Sequence, residues 1–154
     1  MKKLLLCAAL VLTVIASAAC DASILQIEDT NGASDTSLAT LTDAELLDTM
    51  PQVVKQGAVR SDRGGVCRFR VKKMSGVEEL YTFDADRDTT YHFTVTSNLT
   101  EGNLRLYLCA GGDIVADIPL GEAQSVEVSG ISGIASVRAA SESAAFSVEI
   151  THGA

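Results

Sequence analysis

From Val53 to the C-terminus, apolar and polar side chains alternate in short runs. Cys67, Phe69 and Val71 fall on one side of a strand and Arg68, Arg70 and Lys72 on the other, the period of two that a half-buried strand requires. The same period runs through Tyr81/Phe83, Tyr91/Phe93/Val95, Leu104/Leu106/Leu108, Ile114/Ala116/Ile118, Val126/Val128, Ala135/Val137/Ala139 and Phe146/Val148/Ile150. Turn-forming residues separate these runs: Asp62-Arg63-Gly64-Gly65, Ser75-Gly76, Asp84 to Thr89, Glu101-Gly102-Asn103, Ala110-Gly111-Gly112-Asp113, Ser129-Gly130, Ser132-Gly133 and Ser141-Glu142-Ser143. About eight or nine short strands, with no amphipathic helix between them, predict an all-β domain over 51–154. The expected form is a single antiparallel β-sandwich of Ig-like or jelly-roll type. A parallel sheet is excluded, because nothing long enough remains for helical crossovers.

Upstream the pattern is different. Residues 21–50 carry Asp21, Glu28, Asp29, Asp35, Asp43, Glu45 and Asp48 and no basic residue, so 20–50 reads as an acidic tether that resists collapse. Thr42-Asp43-Ala44-Glu45 is a capping box followed by Leu46 and Leu47, which predicts one short helix before Met50-Pro51. Residues 1–19 have the layout of a signal peptide: Lys2 and Lys3, an apolar stretch from Leu4 to Ile15, then small residues. Ala16-Ser17-Ala18 offers a cleavage site for plain secretion. The small residues before Cys20 also resemble the lipobox of bacterial lipoproteins, with Ser17 where leucine is usual. That resemblance implies a diacylglycerol on Cys20 and anchorage of the exported chain to a membrane of the cell envelope, two acyl chains being enough for stable attachment.

A second resemblance spans roughly a hundred residues. Tyr81-Thr82-Phe83, the acidic turn Asp84 to Thr89, Tyr91-His92-Phe93-Thr94-Val95, the strand Leu104 to Leu108 and the final Phe146 to Ile150 look like bacterial pre-peptidase C-terminal domains. These are small secreted β-sandwiches, and their usual role as appended modules implies binding rather than catalysis. Here an acidic segment, not a peptidase, precedes the sandwich.

Charge narrows the partners. The net charge of −8 becomes more negative once Lys2 and Lys3 are removed, and such a chain lacks the basic surface that nucleic acid requires. Of the ten cations that then remain, seven are bunched in Lys55, Arg60, Arg63, Arg68, Arg70, Lys72 and Lys73. Arg68, Arg70 and Lys72 form an outward stripe, a candidate contact for an anionic partner such as lipid headgroups or an acidic polysaccharide. The alternative is that the acidic tether covers this stripe. Arg105 and Tyr107 share an outward parity and extend the candidate contact set, Tyr107 being the only aromatic not needed for the core.

Catalytic chemistry is sparse. His92 and His152 have no nucleophile at motif spacing, so no catalytic residue is assigned. Asp84, Asp86 and Asp88 begin like a calcium loop, but Thr89 and Val95 stand where its glycine and bidentate glutamate belong, so a hairpin turn competes with a calcium site. Cys67 and Cys109 are either a disulfide, the form favoured in an exported domain, or two free core thiols. The expectation is a non-catalytic envelope or surface binding module without a resident cofactor. The alternative is a structural component that pairs with an envelope protein through a sheet edge.

Overall fold

The computed structural model describes residues 38–153; the expected signal peptide, the lipidation candidate Cys20 and the expected tether up to residue 37 lie outside them. One helix, α1 (Asp43–Leu47), precedes seven strands: β1 (Val53–Gln56), β2 (Val59–Arg63), β3 (Val66–Ala85), β4 (Tyr91–Ala110), β5 (Asp113–Ile118), β6 (Gln124–Val128) and β7 (Gly133–Gly153). All strand pairs are antiparallel, in the order β1-β3-β7-β4-β5, with β2 also on β3 and β6 also on β4. Among the described residues no helix is long and apolar enough to cross a membrane.

The all-antiparallel expectation holds, but the strand count does not. In place of eight or nine short strands, hydrogen bonding gives one open sheet of seven. Three strands run for 20, 20 and 21 residues, about twice the upper end of ordinary strand lengths. The physical reason lies in three of the expected turns. At Gly76, Gly102 and Ser143 the backbone takes φ of 104°, 76° and 51°, but the chain bends there and continues, as at a β-bulge. The bends lie side by side: Gly76 pairs with Ser141, and Asn103 with Glu142. Ser141 Oγ donates to the Met74 carbonyl at 3.0 Å, and the Ser143 amide to Ser75 Oγ at 2.9 Å. A Cβ on Gly76 would stand 2.1 Å from the Gln52 carbonyl oxygen, so the bend needs glycine for space as well as for φ.

The bends divide the sheet into two sections. The first comprises 66–71 of β3, 146–151 of β7 and 91–99 of β4, flanked by β2 and β6; the second comprises 76–85 of β3, 133–141 of β7 and 103–110 of β4, flanked by β5. One apolar cluster takes residues from both sections, among them Phe69, Val71, Phe93, Val95 and Phe146 from the first and Leu80, Leu104, Leu106, Leu108 and Val137 from the second. Each large side chain so buried contributes about 1.5–3 kcal/mol of transfer free energy. This cluster defines the inner face of the sheet.

The outer face of the second section is covered by α1. Its capping box forms as the sequence predicts: Glu45 N donates to Thr42 Oγ1, and Thr42 N donates to Glu45 Oε2 at 2.8 Å. Five residues are far too few to hold a helix alone, so packing must hold it. Leu46, 2% exposed, joins Val77, Tyr107, Cys109 and Ala140 in a second apolar cluster. Tyr107 donates its hydroxyl to the Leu46 carbonyl at 2.9 Å. Arg138 reaches the Leu46 and Asp48 carbonyls at 3.1 and 2.7 Å, with Ser136 Oγ at 3.0 Å and Glu79 at 3.4 Å. Thr40 adds two hydrogen bonds to Glu142 Oε1, at 2.6 and 2.7 Å. The last part of the acidic segment is therefore fastened to the sheet.

Candidate functional site

Among the described residues, no helix lies on the outer face of the first section. Pairing sets its side chains in rows: Val59, Arg70, Ser147 and Asn98 form one, and Ser61, Arg68, Glu149 and Thr96 the next. Two adjoining concavities follow these rows. One, of about 550 Å³, is lined by Val59, Ser61, Arg68, Arg70, Thr96 and Asn98 among others. The other, of about 470 Å³, takes in Lys72, Thr100 and Glu101. Arg70, Asn98 and Ser147 line both, so the two make one trough of small-molecule size.

The cations of this trough differ in their pairing. Arg68 is neutralised by Glu149 at 2.6 Å, whereas Arg70 and Lys72 make no ion pair among the described residues. The Lys72 stem lies against Gly57, where a Cβ would stand 2.9 Å from its Cγ and Cδ. Thr100 donates to the Ala145 carbonyl at 2.9 Å. The side chains of Ser61, Thr96, Asn98 and Ser147 form no hydrogen bond among the described residues, which leaves their donors and acceptors to solvent or a ligand.

Arg68, Arg70 and Lys72 thus share one face, as their parity requires. Arg105 and Tyr107 do not join them. Both lie on the second section beside α1, and the expectation of a ligand-contact Tyr107 is corrected: the side chain is fully buried. Burial pushes its hydroxyl pKa well above the usual value. Its parity is outward, but α1 covers that face. Arg105 is held by Asp117 at 2.7 Å and lies 5.5 Å over the Tyr107 ring. Its pKa is raised, chiefly by the hydrogen bond to Asp117.

The favoured disulfide is likewise corrected. Cys67 and Cys109 are both free and buried, in the inner cluster and the α1 cluster respectively, on opposite faces of the sheet. Cys67 donates to the Leu80 carbonyl at 3.2 Å, and burial, with Asp62 beside it, pushes its thiol pKa up to about 11. Burial raises that of Cys109 as well.

The calcium candidates do not converge, and no group of three or more His, Cys, Asp or Glu that could hold an ion occurs among the described residues. Asp86 instead makes a turn, accepting the Asp88 amide on its carboxylate at 3.1 Å and giving its own amide to the Tyr91 hydroxyl at 2.8 Å. His92 faces Glu127 at 3.4 Å, and His152 lies among the rings of Tyr81, Tyr91 and Phe93.

Sequence reasoning missed Asn98, Ser147, Thr96 and Val59 in the trough, and Arg138 beneath α1. The parity of Thr94, Thr96 and Asn98 against Phe93 and Val95 was the available signal for the first group. For Arg138 it was a lone cation in the small apolar run Ala135 to Ala140. The chain matches no protein-family model, no curated protein and no solved structure.

Proposed function

We propose that the protein is a non-catalytic, exported binding module, anchored in the cell envelope through lipid on Cys20, which takes an anionic ligand on the uncovered outer face of its sheet. One observation carries the reading. The cations of the covered face, Arg105 and Arg138, are paired with acids, whereas Arg70 and Lys72, along a trough, make no ion pair among the described residues. Exposed charges attract weakly and are screened by salt, so the affinity is modest and salt-sensitive. The basic start, the short apolar stretch and the small residues before Cys20 support export and lipidation. The two sections are read as the layers of a sandwich, a reading supported by their shared apolar cluster and by the Cys67 thiol reaching the Leu80 carbonyl.

The test is retention of the full chain by immobilised dextran sulfate at low and high salt. Retention should be lost in high salt and in an Arg70→Ala/Lys72→Ala double variant. Equal retention by variant and wild type would defeat the reading. A second reading, assembly by strand pairing, is favoured by Val54 and Val59, 76% and 66% exposed on the edge strands β1 and β2. An assembly cross-linked in envelope extract and lost in Val54→Lys, with polyanion retention intact, would establish that reading.

A further inference from the structure

We propose that the ligand of the trough is an acidic polysaccharide, a linear chain of sugars bearing carboxylates, lying along β3 with successive carboxylates at Arg70 and Lys72. This rests on the reading that the uncovered face takes an anion, and names its chemistry. The two cations of the trough that make no ion pair among the described residues are two positions apart on one strand, hence separated by about 7 Å along it. That spacing suits two charges of a repeating chain better than one small anion. The guanidinium of Arg70 offers a fork matched to a carboxylate, and Lys72 offers a point charge.

Around Arg70, the row supplies what the rest of an acidic sugar presents. Val59 gives an exposed apolar contact for ring CH groups, and Ser147 and the Asn98 amide give partners for hydroxyls. These polar groups have no other side-chain hydrogen bond among the described residues, so binding breaks none. The acids in the trough add discrimination. Glu149 and Glu101 line it beside the cations, and they repel a densely charged chain more than one whose charges are spaced by sugars. A bilayer surface fits less well, because the cations lie along a concave surface while a flat array of headgroups is met by protruding ones.

The experiment is isothermal titration of the full chain carrying Cys20→Ser, so that no acyl group contributes. The titrants are oligogalacturonate, its methyl ester, inorganic polyphosphate and phosphatidylglycerol vesicles. Oligogalacturonate should bind, and esterification should weaken binding by at least about tenfold, the worth of one charge-assisted hydrogen bond. Arg70→Ala should cost about the same factor. Asn98→Ala, an exposed substitution, should weaken oligogalacturonate several-fold and leave polyphosphate unchanged. Polyphosphate binding as tightly as oligogalacturonate, or an Asn98→Ala variant with unchanged affinity for the sugar, would overturn the inference while the anion-binding reading stood. Preference for the vesicles would give the face to a membrane and overturn it too. Failure of every anion to bind would remove the underlying reading itself.

Discussion

The outer faces of the two sheet sections are written in the same alternating code, yet one has become a floor for α1 and the other a bare trough. On the covered face, Tyr107 and Arg138 give their hydrogen bonds to the carbonyls of Leu46 and Asp48, and Arg105 is matched to Asp117. On the bare face, Arg70, Lys72, Asn98 and Ser147 have outward parity and no partner among the described residues. The difference teaches that outward parity is not exposure. A residue facing away from the main core is available only if nothing else in the chain has been laid across it, and here eleven residues, from Leu38 to Asp48, decide that for half the sheet.

The strongest way to break the comparison is to remove the bend that creates two faces. Gly76→Ala places a Cβ 2.1 Å from the Gln52 carbonyl oxygen at φ 104°, and is expected to cost more than about 3 kcal/mol in urea unfolding. Both faces should fail together. The next contrast sets one arginine against another. Arg138→Met leaves the Asp48 carbonyl and Glu79 without their cation and should cost about 3 kcal/mol, whereas Arg70→Met should stay within about 0.5 kcal/mol. Equal costs would mean that the faces are not built differently.

Leu46→Ala should cost about 2 kcal/mol, the low end for a buried leucine in a small cluster. It should also open Cys109 to alkylation while Cys67, in the other cluster, stays protected. The smallest effect is one of pH. The Glu45 carboxyl is lowered from 4.5 by the backbone and hydroxyl hydrogen bonds of Thr42, and that of Glu142 from the same value by Thr40. A depressed carboxyl pKa contributes stability that is complete above 4.5 and lost as pH falls below it. The amide resonances of Thr40 and Thr42 should therefore titrate below pH 4.5.

These contrasts also mark what could be read from the chain. The capping box Thr42 to Glu45 and the shared face of Arg68, Arg70 and Lys72 follow from local spacing, and both stand. Cys109 has the parity of Tyr107, opposite Leu108, and the structure sets the two cysteines on opposite faces. What covers Tyr107 was not legible, because a five-residue helix folded onto a sheet is a long-range event with no periodicity of its own. The bends were misread for a related reason. A tight turn and a bulge ask for the same positive-φ residues, so Ser75-Gly76, Glu101-Gly102-Asn103 and Ser141-Glu142-Ser143 looked like reversals. Only the register, which sets Gly76 beside Ser141 and Asn103 beside Glu142, shows that the strands run through.

The central claim is that the bare face binds and the covered face does not. Backbone amide shifts recorded during titration with oligogalacturonate test this most directly. Shifts should appear at Arg70, Lys72, Asn98 and Ser147 and be absent at Val77, Tyr107 and Arg138. Shifts confined to Val77, Tyr107 and α1, or none at any residue, would contradict it.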